Sequence, residues 1–217
     1  MNKRRVGVIF VVVLSVALLG SLATNAAELA VPEDYSHIWT AVEAANPGDT
    51  IVLAEGVYEG SVAITKDNIT IKSAGDPENT TFKGTISLQN ASGLVVDGLT
   101  ITGAGNGIEV RGDCTGDDPT LTVKNSFISG NEENGIDFSG TYGGVTIEGN
   151  EINENGGTGV NLRGESGVGD IVSITNNEIS NNGATQATGA GVKIGKSVEG
   201  VLVAGNTLEG NEFANIH

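Results

Sequence analysis

The chain has 217 residues, enough for one domain, and 27 acids against 11 Lys and Arg give it a net charge of −16. A surface of that sign repels nucleic acid and anionic membranes, and it repels polyuronates unless a divalent cation bridges the contact. A single cysteine excludes an internal disulfide, so stability must come from the core.

Lys3, Arg4 and Arg5 precede an apolar run from Val6 to about Leu22, and Thr24-Asn25-Ala26 places small residues at cleavage spacing. Residues 1–26 therefore read as a secretory signal outside the fold. An uncleaved membrane anchor is the rival reading, because the run approaches spanning length. Gly7, Ser15 and Gly20 dilute the run and favour cleavage. Removing its three cations leaves 27 acids against 8 bases, a net charge of −19. The expected location is extracellular, periplasmic or cell-surface.

Residues 27–217 are expected to form one β-domain. Ile38, Ala41, Val42 and Ala45 fall on one helical face, and Pro47-Gly48 ends the helix. Short strands are expected near Ile51–Ala54, Val62–Thr65, Ile69–Ser73 and Thr85–Leu88. A short amphipathic helix ahead of them would cover an otherwise open apolar end.

From Leu94 onward the chain repeats. LTVKNSFISGNEENGIDF (Leu121 to Phe138) lies over VTIEGNEINENGGTGVNL (Val145 to Leu162), and related stretches start at Leu94, Val172 and Val201. The starts are 27, 24, 27 and 29 residues apart. Units of that length stack, because none buries its apolar face alone. Inside each unit apolar residues alternate, as in Val145-Thr146-Ile147-Glu148, which is the signature of a half-buried strand. Gly and Asn clusters break the strands and turn the chain.

Stacking predicts five apolar columns. They run from Leu94 to Val201, Val96 to Val203, Ile101 to Leu208, Ile108 to Ile216 and Val110 to Ile194, with no polar interruption. Two asparagine series keep phase with them: Asn131, Asn155, Asn182 and Asn211, and Asn150, Asn177 and Asn206. Both are read as structural, supplying left-handed corners and coil-to-coil hydrogen bonds. The result is an all-β parallel solenoid with a short N-terminal capping helix.

The segment IWTAVEAANPGDTIVLAEGVYEGSVAITKDNITIKSAG (Ile38 to Gly75) resembles the opening of secreted right-handed parallel β-helix proteins of the pectin-lyase-like superfamily. The G-N-x-I and N-G-I/V units resemble its carbohydrate-binding and sugar-hydrolysis repeats. The resemblance spans about residues 36–217 and implies a right-handed parallel β-helix. It implies little about activity, since the superfamily holds lyases, hydrolases, epimerases, tailspikes and adhesins.

Enzymes of that superfamily place charged residues on outward positions of one sheet. Here that column is Glu109, Asp137, Asn161, Lys193 and His217, with Arg111 and Arg163 following their strands. Glu109 and Asp137 should lie one coil apart, a spacing that suits retaining glycoside hydrolysis. Lys193 or Arg163 would otherwise serve as base in a β-elimination, with an acid pair holding Ca²⁺. The plain alternative is an ordinary polar strand face, as expected for the neighbouring ladder Asp97, Lys124 and Glu148. Phe127, Phe138, Tyr142 and Phe213 form no clear sugar-stacking platform. A second candidate is the loop from Gly112 to Pro119, whose Asp113, Asp117 and Asp118 would gather around Ca²⁺ or else line a solvated turn.

The expected function is a secreted or surface module that binds or presents an extended polysaccharide or cell-surface glycan without catalysis of its own. A polysaccharide lyase or glycoside hydrolase is the alternative. The chain ends at Ala214-Asn215-Ile216-His217, which matches the start of a strand in earlier repeats, so further coils or another chain are expected to cover that end.

Overall fold

The alternating segments become strands that pair in parallel, each with its counterpart one repeat away. This computed structural model describes residues 26–103, 105–116, 119–167, 169–185 and 189–217. The proposed signal therefore falls outside the described residues, apart from Ala26. Among the described residues no helix is long and apolar enough to cross a membrane.

Three sheets run the length of the stack. The first has eight strands, from Glu28–Val31 and Thr50–Leu53 through Leu94–Asp97 and Leu121–Lys124 to Val201–Ala204. The second has seven, from Gly56–Glu59 through Thr100–Thr102, Phe127–Ser129 and Glu151–Asn153 to Thr207–Glu209. The third has seven, from Val62–Ile64 through Ile108–Arg111, Ile136–Phe138 and Val160–Leu162 to Ala214–Ile216. A short fourth sheet joins Asp113–Cys114, Thr141–Tyr142 and Glu165–Ser166. The strand near Ile69 begins at Thr70, and Glu28–Val31 and Thr80–Lys83 add strands that the alternation alone does not mark out.

The register joins the predicted columns residue for residue. Val96 faces Val123, then Ile147, Ile174 and Val203, while Ile128 faces Ile101 and Ile152. Val110, Phe138 and Leu162 align in the third sheet. These side chains fill the interior and are fully buried until the last described coil. Each such aliphatic residue contributes roughly 1.5–3 kcal/mol by leaving water.

Corners divide their work between neighbours. Glu154, Asn176 and Asn181 have φ between 55° and 57°, and each stands immediately before a ladder asparagine. This corrects the expectation that one asparagine does both jobs. The left-handed residue swings the chain so that the next side chain turns inward. There Asn150 Nδ2 donates to Asn177 Oδ1 at 3.0 Å, and Asn177 Nδ2 donates to Asn206 Oδ1 at 2.9 Å. A third, unforeseen ladder runs through Asn106, Asn134 and Thr158: Asn134 N donates to Asn106 Oδ1 at 2.9 Å, and Thr158 N donates to Asn134 Oδ1 at 2.8 Å. Beside it Gly159 has no room for a side chain, since a Cβ would lie 2.7 Å from the Gly191 carbonyl oxygen and 3.0 Å from Asn182 Nδ2.

The helix Ile38–Ala44 covers the first coil with Ile38 and Ala41 buried beneath it. Lys66 Nζ closes its C-terminus, donating to the carbonyls of Glu43 at 2.7 Å, Val42 at 3.3 Å and Ala45. Buried Asp49 then ties the first strand to the turn, accepting from Ala27 N at 2.8 Å and Asn46 N at 2.7 Å. Those backbone donors hold its carboxyl below the ordinary value of 3.8. A carboxyl lowered by folding stabilises above its unfolded pKa and loses that effect as pH falls through the folded one. Asp49→Ala should therefore cost about 1–2 kcal/mol at neutral pH. In urea unfolding the difference should close well below pH 3.8; a gap that persists in acid would assign the loss to packing instead.

Candidate functional site

The third sheet brings the predicted column together. Its register sets Glu109 opposite Asp137, Asp137 opposite Asn161, and Asn161 opposite Lys193. These side chains point away from the apolar interior, yet Glu109 is 7% exposed and Asp137 2%. Flanking segments cover them.

Each carboxylate is already occupied. Glu109 Oε1 accepts from Asn106 Nδ2 and from Arg111 Nη2, both at 2.6 Å. Asp137 Oδ1 accepts from Asn161 Nδ2 at 2.8 Å and from Asn134 Nδ2 and Arg163 Nε at 3.2 Å, and Oδ2 accepts from Arg163 Nη2 at 2.6 Å. The hydrogen bond to Asp137 pushes the Arg163 guanidinium above its ordinary value. Half-exposed Arg111 and Arg163 lie over the buried carboxylates and match them charge for charge. Lys193 is half-buried and forms no ion pair with a described residue. Both oxygens of Asp137 thus hold donors in a polar network that leaves one gap, the buried Asn161 Oδ1, which has no partner among the described residues.

The neighbouring outward positions of the first sheet form the ladder expected of them, with Lys124 Nζ 3.2 Å from Asp97 Oδ2. In the acidic loop, Asp117 and Asp118 lie outside the described residues. Asp113 spends Oδ1 on Thr115, accepting from Oγ1 at 2.6 Å and N at 3.2 Å, and these bonds lower its carboxyl pKa. Among the described residues no three His, Cys, Asp or Glu side chains gather as metal ligands. Cys114 is buried, its Sγ donating to the Arg111 carbonyl at 3.3 Å, and burial pushes the thiol up, away from the reactive thiolate.

The second sheet presents a different surface. Thr81, Thr100, Phe127, Glu151, Glu178 and Thr207 follow one another in register along its outer face. Phe127 lies in an open groove of about 330 Å³ with Glu78, Thr100, Ser129, Glu151 and Asn153. Phe138 and Tyr142 are fully buried, 4.7 Å apart between ring centroids, so neither ring reaches solvent. The sequence names Phe127 but offers no platform around it. The partners that make the groove come from three further coils, which only register brings together.

A family model described as the right-handed β-helix region matches residues 55–217. An alginate lyase from Paenibacillus sp. str. FPU-7 is similar in structure, with a TM-score of 0.50 and 22% identity, covering 88% of this chain and 61% of that one. This chain therefore spans about three fifths of that enzyme's length. A pectin methylesterase from Aspergillus niger follows at a TM-score of 0.38 and 14% identity, covering 91% of this chain and 86% of its own. No curated protein matches the chain.

Proposed function

The chain belongs to the right-handed β-helix family, and on that premise we propose that it binds an extended polysaccharide along the outer face of its second sheet, outside the cell or at its surface, without catalysis of its own. The observation that carries this is the Phe127 groove, where an aromatic ring is set among the hydroxyls, amide and carboxylates of Thr100, Ser129, Asn153, Glu78 and Glu151. A sugar ring needs both partners: a flat apolar surface for its C–H face and acceptors for its hydroxyls. In-register coils repeat such outward positions along the stack, which suits a linear polymer better than a small ligand. The structural neighbour from Paenibacillus, an alginate lyase, is consistent with this class of partner but shares only the fold at 22% identity.

A lyase or hydrolase centred on Glu109 and Asp137, with Arg163 and Lys193, has one observation in its favour: the two carboxylates are register partners. Against it, the six donor contacts they accept leave little acid–base capacity facing a substrate.

Phe127→Ala should weaken polysaccharide binding roughly tenfold, about 1.4 kcal/mol, while its circular dichroism spectrum stays that of the parent. Affinity electrophoresis through gels containing glucans, xylan, mannan, pectin or alginate would measure it. Unchanged retardation of Phe127→Ala, or no retardation of the parent in any gel, would sink the proposal.

A further inference from the structure

We infer that the N-terminal cap carries a second glycan subsite, built on Trp39 and selective for uncharged over uronic sugars; this rests on the reading of the second-sheet face as a polysaccharide surface. Trp39 follows the buried Ile38 in the capping helix and turns away from the core, 42% exposed. Its indole is nonetheless held in place. The His37 ring stacks on it at 4.1 Å and 10°, and the ring edge lies over Gly60, where a Cβ would be 3.8 Å from Cζ3.

The indole borders an open pocket of about 250 Å³ shared with His37, Glu55, Val57, Tyr58 and Glu59. Tyr58 makes it rigid, its hydroxyl lying 2.7 Å from the Ala54 carbonyl and 3.0 Å from that of Val31. The imidazole of His37 lines the pocket and makes no capping hydrogen bond to the helix. The Glu59 carboxylate has no hydrogen bond or ion pair with another described residue, and that of Glu55 accepts only from Asn79 Nδ2, at 3.2 Å. An aromatic ring beside two carboxylates, one of them without a side-chain partner, fits the C–H face and the hydroxyls of a pyranose.

Two further observations narrow the ligand. No Lys or Arg lines the pocket, while two carboxylates do, so a uronate carboxylate would meet like charge. The pocket is also continuous with the proposed polymer face. Val57, 59% exposed, stands in the same outward row as Thr81, Thr100 and Phe127. Three inter-strand steps separate Val57 from Phe127, about 14 Å at the usual strand spacing. A chain of several sugars lying across the strands would meet both rings.

Trp39 is the only tryptophan, so indole emission reports on this pocket alone. The probes are β-1,4-linked gluco-, manno- and xylo-hexasaccharides, with hexagalacturonate and choline for comparison. A saturable change in emission is expected with at least one neutral hexasaccharide and with neither hexagalacturonate nor choline. Calorimetry should show binding weakened roughly tenfold in Trp39→Ala and largely kept in Trp39→Phe. The side chain is exposed, so both variants should keep the parent melting midpoint, which is checked alongside. Emission that responds only to choline or only to the uronate would overturn the inference. Wild-type affinity in Trp39→Ala with weakened binding in Phe127→Ala would overturn it too, while leaving the second-sheet reading intact. Loss in Trp39→Ala with no effect of Phe127→Ala would support the subsite and sink the second-sheet reading; no emission response to any probe overturns the subsite alone, and the absence of calorimetric binding of every probe to the parent sinks both.

Discussion

Replacing Asp137 by alanine is expected to destabilise the protein by about 3–5 kcal/mol. The carboxylate is 2% exposed and accepts four hydrogen bonds from three side chains. Without it, the half-exposed Arg163 swings into water at small cost, but the buried amide of Asn161 loses its acceptor and that of Asn134 keeps only Asn106 Oδ1, at 3.0 Å. For a chain of this size the melting midpoint should fall by roughly 10 °C. Asp137→Asn keeps one acceptor oxygen for the two amides and should lose less than half as much. Scanning calorimetry on the two variants is the measurement. A parent-like midpoint for Asp137→Ala would remove the structural assignment. If the parent also depolymerised a polysaccharide that the variant did not, the column would be a catalytic centre.

Asn155→Ala should cost a similar amount, about 3–5 kcal/mol. Asn155 is completely buried. Its Oδ1 accepts from Asn131 N at 3.2 Å and Nδ2 at 2.8 Å, and its Nδ2 donates to the Ile128 carbonyl at 3.0 Å and Asn182 Oδ1 at 2.9 Å. One truncation therefore unpairs groups in the coils on either side, where no bulk water replaces the lost partner. Because each coil is supported only by its neighbours, the break should also loosen pairing across the middle of the stack. Glu178→Ala, at an exposed strand position one coil away, should change stability by less than about 0.5 kcal/mol. Equilibrium urea unfolding separates the two. A loss within about 1 kcal/mol for Asn155→Ala would mean that other groups take over the ladder.

Some of the second-sheet and cap chemistry left marks in the sequence that alternation does not capture. Trp39 sits between Ile38 and the apolar residues of an amphipathic seven-residue helix, on the wrong face for the core. An aromatic residue displaced from the apolar stripe is a legible sign of exposure. What it shares the pocket with is not legible, because Val57 and Glu59 reach it from a strand, and Glu55 from the bend before it, whose position depends on the closed coil. The Asn106, Asn134 and Thr158 ladder escaped for a simpler reason: its third member is not an asparagine, although its backbone N–H makes the same bond. The corner residues were misplaced by one position, since asparagine serves both as the left-handed residue, as in Asn176, and as the ladder residue, as in Asn177.

Periodicity alone determined the coil, its interior columns and which outward side chains are neighbours. Alternation specifies the side of its own strand on which a residue lies, and a 24–29-residue recurrence specifies its partner. Exposure of the outward side was decided only in three dimensions. Glu109 and Asp137 point outward as their positions require, yet Arg111 and Arg163 fold over them and corner amides close beneath, while Phe127 and Trp39 remain open to solvent. The reason is that covering an outward position depends on segments before and after the strand and on the coils above and below. No local pattern encodes that arrangement.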